Sequence, residues 1–378
     1  MVRKSKAEYL EAIRPRYLKA KRQGKTRILE EFCEICSYHR KHAIRLLNRK
    51  SGIGKRRPGR PSEYGAAELE VLENIWLQAN RPCAKRFKAL ISEWLPWYEK
   101  ERGRVGAETR IRLRAVSSRT LDRLMRAVRR RHGQRGKCGT RPGGLLKNMI
   151  PIETHHADVN KPGLMEADTV AHCGNSLQGD FVWSLTLTDI FSGWTENRAV
   201  WNKGYEGVRQ AVQDIEEALP FLLTGFHTDN GGEFLNHHLI SYLRNRPEPI
   251  KYTRARPDHK DDNAHVEQKN YTHVRLLLGY QRIEDPELIP QINRLYAAWA
   301  LYNNLFLPSM KLIDKQKTGS RYTRKYDAPK TPCQRLIDCQ DVDEAKKTHL
   351  TELMCNSNPF ALKRQIDHLQ HQILQKLR

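Results

Sequence analysis

Leu164-Met-Glu-Ala-Asp168-Thr-Val170, followed by Phe181-Val-Trp-Ser-Leu-Thr-Leu-Thr-Asp189, decides how this chain reads. Both runs read as strands, the second in the β-branched and aromatic form Phe-Val-Trp-Ser-Leu-Thr-Leu-Thr. Working outward, Thr195–Val200 predicts a third strand and Leu222–His227 a fourth, with a short one at Ile250–Thr253. Helical periodicity takes over at 205–219, 234–243, 263–278 and 289–305. Strands first, then alternating helix and strand, predicts a mixed sheet with helices packed on it.

The region before Ile150 is different. Residues 1–150 hold 39 Lys+Arg against 14 Asp+Glu, whereas 151–378 hold 28 against 29, so the first part carries the whole net charge of +24. A boundary this sharp is not needed for solubility and is the electrostatic footprint of a polyanion binder. Residues 26–36 and 40–49 read as two short helices around Ser37-Tyr-His39, a helix-turn-helix pattern in which Ile44 and Leu47 face the core and Arg40, Lys41, Arg45 and Arg49 face DNA. An ordinary helical hairpin with a solvated basic face has the same pattern. Lys55-Arg-Arg-Pro-Gly-Arg-Pro61 reads either as a charged linker or as an arm laying Arg57 and Arg60 in a narrow minor groove. Residues 65–98 carry two apolar helical stripes, and Val116–Arg131 opens on serine caps and is strongly basic, with Arg119 and Arg123 placed for a recognition helix.

No apolar run approaches membrane-span length, and the N-terminus lacks the apolar stretch of a secretory signal, so a cytoplasmic, nucleoid-associated protein is expected. The eight cysteines are scattered and expected to be reduced; Cys33 and Cys36 lack the spacing of a zinc site and read as helical core residues.

Three acidic residues stand in distinctive settings. Asp168 lies in the first strand. Asp229 follows the fourth, in His227-Thr-Asp229-Asn-Gly-Gly-Glu-Phe234. Glu267 lies in Asp262-Asn-Ala-His-Val-Glu267-Gln-Lys-Asn270. Gly231 allows close backbone approach after Asp229, and Asn230 adjoins it. Asn263, Glu267 and Asn270 share a helix face, with Lys260 and Lys269 near it for phosphates. Carboxylates from three different elements can surround a pair of divalent metals, the arrangement that phosphodiester chemistry requires. Asp189, at a strand end, is the substitute should Asp168 not belong to the set, and His172-Cys173 reads as a loop pair without a role.

These stretches resemble the catalytic core of the DDE transposases and retroviral integrases, over roughly residues 160–310, with weaker similarity at Thr331–Leu336. The separation of Asp229 and Glu267, 267 − 229 = 38, slightly exceeds the family's usual spacing. An N-terminal His-His-Cys-Cys zinc module of the retroviral kind is not matched: Cys33, Cys36, His39 and His42 have the wrong order and spacing. The resemblance implies a ribonuclease-H-like α/β core in a multidomain chain. The layout is a helix-turn-helix domain at 1–54, a basic linker at 55–64 and a second helical DNA-binding region at 65–131. A flexible linker at 132–155, the catalytic core at 156–310 and a small C-terminal module with a terminal helix at 311–378 complete it. It also implies a bacterial insertion-sequence transposase, a homo-oligomer on double-stranded DNA. Asp168, Asp229 and Glu267 would hold two Mg²⁺ or Mn²⁺ ions while 3′ ends are cut and joined to target DNA. A silent DNA-binding regulator and a purely hydrolytic nuclease are the alternatives.

Overall fold

Residues 3–48, 63–132, 159–202, 204–228, 237–247, 250–254, 264–318 and 321–377 are described by the structure, a computed structural model. Of the predicted linkers at 55–64 and 132–155, residues 55–62, with Arg57 and Arg60, and 133–155 lie outside the described residues, as does Arg49. The chain divides into two compact units, Met1–Glu63 and Tyr64–Arg378.

The first unit is three helices, α1 (Arg3–Lys19), α2 (Arg22–Cys36) and α3 (Arg40–Asn48). They enclose Ile13, Tyr17, Leu29, Phe32, Cys36, Ala43 and Leu47. α2 ends where Ser37 takes a left-handed φ of 52°, and the chain turns through three residues into α3. Ile44 was expected in this core but is exposed. Ala43 and Leu47, four apart, form the inward stripe, and Ile44 sits about 100° round the helix from Ala43. It therefore shares the outward face with Lys41 and Arg45, which are also exposed.

The second unit begins with α4 (Ala66–Gln78), α5 (Ala84–Arg102), α6 (Ala107–Ala115), α7 (Ser118–Leu124) and α8 (Arg126–His132). The sequence suggested a separate helical region here. Instead these helices share one continuous hydrophobic core with the sheet and the C-terminal helices. The reason is the aromatic content of α5. Trp94 is buried among Tyr302, Phe306 and Phe360, with ring centroids 6.1, 6.4 and 5.3 Å away, and its indole N–H donates to the Phe306 carbonyl at 3.3 Å. The Tyr302 hydroxyl in turn donates to the Gln78 carbonyl at the end of α4. The C-terminal part, expected as a small module, is likewise continuous with this core. A hairpin, β6 (Leu312–Thr318) and β7 (Arg321–Tyr326), leads to three helices. The last of these, Pro359–Lys376, packs through Phe360, Ile366 and Ile373 along the helix Ile289–Phe306.

The sheet has five strands: β1 (Leu164–Ala171), β2 (Val182–Asp189), β3 (Thr195–Trp201), β4 (Gly225–Thr228) and β5 (Lys251–Arg254), in the order β3-β2-β1-β4-β5. β1–β2 and β2–β3 are antiparallel; β1–β4 and β4–β5 are parallel. α9 (Tyr205–Ala218) follows β3, and α10 (His237–Arg244) precedes β5. Gly163 leads into β1 with φ +118°, and a Cβ there would meet the Leu222 carbonyl oxygen at 2.5 Å, so only glycine fits. β3 is an edge, and unpaired edge groups invite aggregation. Two asparagines of the helix Ile289–Phe306 cover them. Asn293 accepts from the Ala199 N–H (2.7 Å) and donates to its carbonyl (3.3 Å); Asn304 does the same to Thr195, at 3.0 Å each way.

One half-buried carboxyl ties α5 to the C-terminal helices. Burial raises Glu93 to about 7, opposed by the Gln334 amide that donates to it. Glutamate in an unfolded chain titrates near ~4.3, so the native state holds this proton more tightly. The stabilisation is complete below that value and lost as pH rises through about 7. Glu93→Gln should therefore match the wild-type melting temperature at pH 4 and exceed it at pH 8. A variant melting below wild type at pH 8 would contradict the assignment.

Candidate active site on the central strand

Asp168 sits on the strand bonded on both sides. Its partner in β2 is Thr186, and the β1–β4 register runs from Leu164↔Gly225 to Ala167↔Thr228, one step short of Asp168 and Asp229. Alternation puts Asp168 and Glu166 on one face and Met165 and Ala167, both fully buried, on the other. Asp229, Asn230 and Gly231 lie outside the described residues, as do Lys260 and Asn263. The sequence-expected helix from 263 is present as α11 (Ala264–Lys269), which continues through a π-helical stretch, Asn270–Arg275, to Leu276–Leu278. Glu267 is on α11; its side chain is outside the description.

Two hydrogen bonds join this helix to β1. Asn270 Nδ2 donates to Asp168 Oδ2 at 2.6 Å, and the Val266 N–H donates to Glu166 Oε2 at 3.0 Å. The other Asp168 oxygen accepts from the Thr169 N–H at 2.7 Å. Thr169 N–H and the Asn270 amide are neutral donors. They orient both oxygens of the carboxylate.

Lys269 points inward rather than presenting itself to phosphates. It is half-buried, its ammonium donates to the Gly193 carbonyl at 3.4 Å, and desolvation with the nearby Arg86 charge lowers it to about 8. His273, one turn on, is buried against the Trp299 ring and held well below its ordinary value, first by desolvation and then by Lys269.

Asp189 is accounted for structurally. It accepts from the Gly163 N–H (2.9 Å), the Ser192 N–H (2.7 Å) and the Ser192 hydroxyl (2.6 Å), closing the turn between β2 and β3 and anchoring the entry to β1. His172 does have a role, in the core. Its ring bonds Ser184 Oγ at 2.8 Å, which bonds the Tyr296 hydroxyl at 2.6 Å. Burial, with the Arg275 charge, lowers this imidazole to about 3, so it stays neutral. Glu166 was the residue missed. The signal was available, since a strand places residues i and i+2 on one face.

The basic candidates sit on exposed helix faces. In the first unit Arg40 lies 3.8 Å from Glu30, and Arg45 bonds the His42 ring at 3.1 Å. In the second, the expected helix 116–131 is interrupted at Met125, whose ψ is 0°. Ser117 caps the first half by accepting from the Thr120 N–H at 3.1 Å, as anticipated. Arg119 and Arg123 line a shallow hollow of about 420 Å³ with Asp122 and Arg126. Among the described residues no three His, Cys, Asp or Glu side chains gather at one point, and no helix is long and apolar enough to cross a membrane.

No protein-family model matches the chain. It is 38% identical over 337 residues to the "uncharacterized protein y4rM" of Sinorhizobium fredii (strain NBRC 101917 / NGR234), covering 88% of this chain and 95% of that protein. The chain belongs to the family of y4rM. Among solved structures, the catalytic core domain of BIV integrase is similar at 18% identity, over 30% of this chain and 68% of that one, with a TM-score of 0.24, a likeness too slight to carry weight.

The two aspartates should separate cleanly. Asp189→Ala strands three buried donors and should cost about 2–4 kcal/mol in denaturant unfolding. Asp168→Asn should stay within about 1 kcal/mol of wild type. Equal losses from both would mean that Asp168 is structural as well.

Proposed function

We propose that the protein is a metal-dependent polynucleotidyl transferase of the DDE transposase kind, binding the terminal inverted repeats of an insertion sequence, cutting their 3′ ends and joining them to target DNA. The observation that carries this reading is the Asn270–Asp168 bond of 2.6 Å. It brings the helix bearing Glu267 against the central strand bearing Asp168, while the same strand's parallel neighbour, β4, ends immediately before Asp229. The sheet order, three antiparallel strands followed by two parallel ones, suits a ribonuclease-H-like core.

Asp168, Asp229 and Glu267 would hold the ions, Mg²⁺ or Mn²⁺, two per site. The fit is favourable at Asp168, a hard oxygen donor that is half-exposed and oriented by the Thr169 N–H and the Asn270 amide. Bound there, the metals would activate the attacking oxygen and stabilise the leaving one. The chain's own contribution is positioning. Asn270 and Thr169 orient the Asp168 carboxylate, and α11 presents Glu267 from the helix side. Exposed Lys41, Arg45, Arg119 and Arg123 would grip phosphates along the duplex, with Arg40 beside them, and Arg49, Arg57, Arg60 and Lys260 are further candidates from the sequence.

The test is a strand-transfer assay with purified protein, a labelled duplex ending in the element's terminal repeat, and a supercoiled plasmid. Joined product should require Mg²⁺ or Mn²⁺ and should vanish in Asp168→Asn and Glu267→Gln, with duplex binding nearly unchanged. Full activity in either variant would overturn the site. Nicking without joining would indicate a nuclease, and binding without either product a regulator.

Binding should also be strongly salt-dependent. With six or more phosphates neutralised, affinity for duplex should fall by about 10³-fold or more between 50 and 200 mM salt. A flat response in a titration would contradict the polyanion reading of the basic region.

A further inference from the structure

We propose that Glu166 and Asn270 form a two-point clamp that sets the height and rotation of the Glu267-bearing helix along β1. Glu166 is then a positioning residue, acting through the Val266 amide next to Glu267. The metal-binding part of this inference rests on the function proposed above; the structural part stands alone.

The two ties have matched spacing. Glu166 and Asp168 are two apart on a strand, about 6.7 Å along its axis. Their partners, Val266 and Asn270, are four apart on the helix, about 6 Å along its axis. Sequence number rises in the same direction in both elements, so the bonds lie side by side. One bond would let the helix pivot. Two fix it, because slipping by one residue moves the helix about 1.5 Å and turns it about 100°, breaking both.

Burial makes the Glu166 end demanding. The residue is completely buried. A buried carboxyl is costly unless it is hydrogen-bonded, and the Val266 N–H, in the first turn of α11, supplies such a bond. At the second end, the tie is made by Asn270, the first residue of the π-helical stretch. The irregular turn therefore runs on beyond the clamp, and the segment from Val266 to Lys269 that carries Glu267 is regular helix. Asp168 takes part in the clamp and is also a candidate metal-holding group, so helix position and carboxylate orientation are linked.

Hydrogen exchange and Mn²⁺ titration of the full chain test this. In Glu166→Ala, amides within 264–270 should exchange about tenfold faster or more, while the helix Ile289–Phe306 keeps its wild-type protection. Glu166→Gln should stay near wild type, since its amide oxygen still accepts from Val266. Half-saturating Mn²⁺, read from the free-ion EPR signal, should rise about tenfold in Glu166→Ala and in Asn270→Ala. The double variant should show less than the product of the two effects, as a shared clamp requires. Should Glu166→Ala not fold, Asn270→Ala, altered at the partly exposed end, carries both readouts. Unchanged exchange in 264–270, equal loss in Glu166→Gln and Glu166→Ala, or effects that multiply would overturn the clamp. Asp168→Asn is the control for the other reading. Undiminished Mn²⁺ binding in that variant would sink the metal site, while exchange would still decide the clamp.

Discussion

A strand hydrogen-bonded on both edges cannot slip by one residue without turning every side chain to the opposite face. β1 is under that constraint, held by seven paired residues to β2 and four to β4. Met165 and Ala167 are committed to one buried face, which leaves Glu166 and Asp168 on the other. What lies on that other face follows. The helix that meets it offers a backbone donor at Val266 to Glu166 and an amide at Asn270 to Asp168. The entry to the strand is fixed from below by Asp189, which grips Gly163, and by the conformation that only a glycine can hold at 163.

The strands and most helices were legible in the sequence because their signals are local. β2 reads as a strand from its β-branched run, and the 289–306 helix from its apolar spacing. Ile44 went the other way since helical spacing alone does not distinguish a core stripe beginning at Ala43 from one displaced by 100°. The joining of 64–132 to the sheet was not legible at all. It depends on Trp94 meeting Tyr302, Phe306 and Phe360, residues more than 200 positions away, and no local pattern encodes that encounter.

Of the candidate site, one contact was legible in the sequence. Asp168 and Asn270, singled out from their motifs, do meet. Lys269, read as lying near the Glu267 face and able to hold phosphates, donates to the Gly193 carbonyl, in the turn between β2 and β3. Glu166 was passed over although it is two residues from Asp168. An acidic residue in a strand reads as solvated until the partner that justifies its burial is seen, and that partner is a backbone amide, which every residue but proline carries. Backbone partners leave no trace in a sequence.

The charge distribution supplies the last step. All of the net positive charge belongs to residues 1–150, but the structure divides that region between two units. Part of it, α4 to α8, shares a core with the sheet. Exposed arginines such as Arg119 and Arg123 therefore belong to the same compact unit as Asp168. Within one compact unit, packing fixes the distance from those arginines to β1, whereas a module on a linker would need a separate docking event to hold it. Trp94 stands at that junction, with Tyr302, Phe306 and Phe360 around it, so the placement of α4 to α8 against the rest of the unit depends on one aromatic cluster.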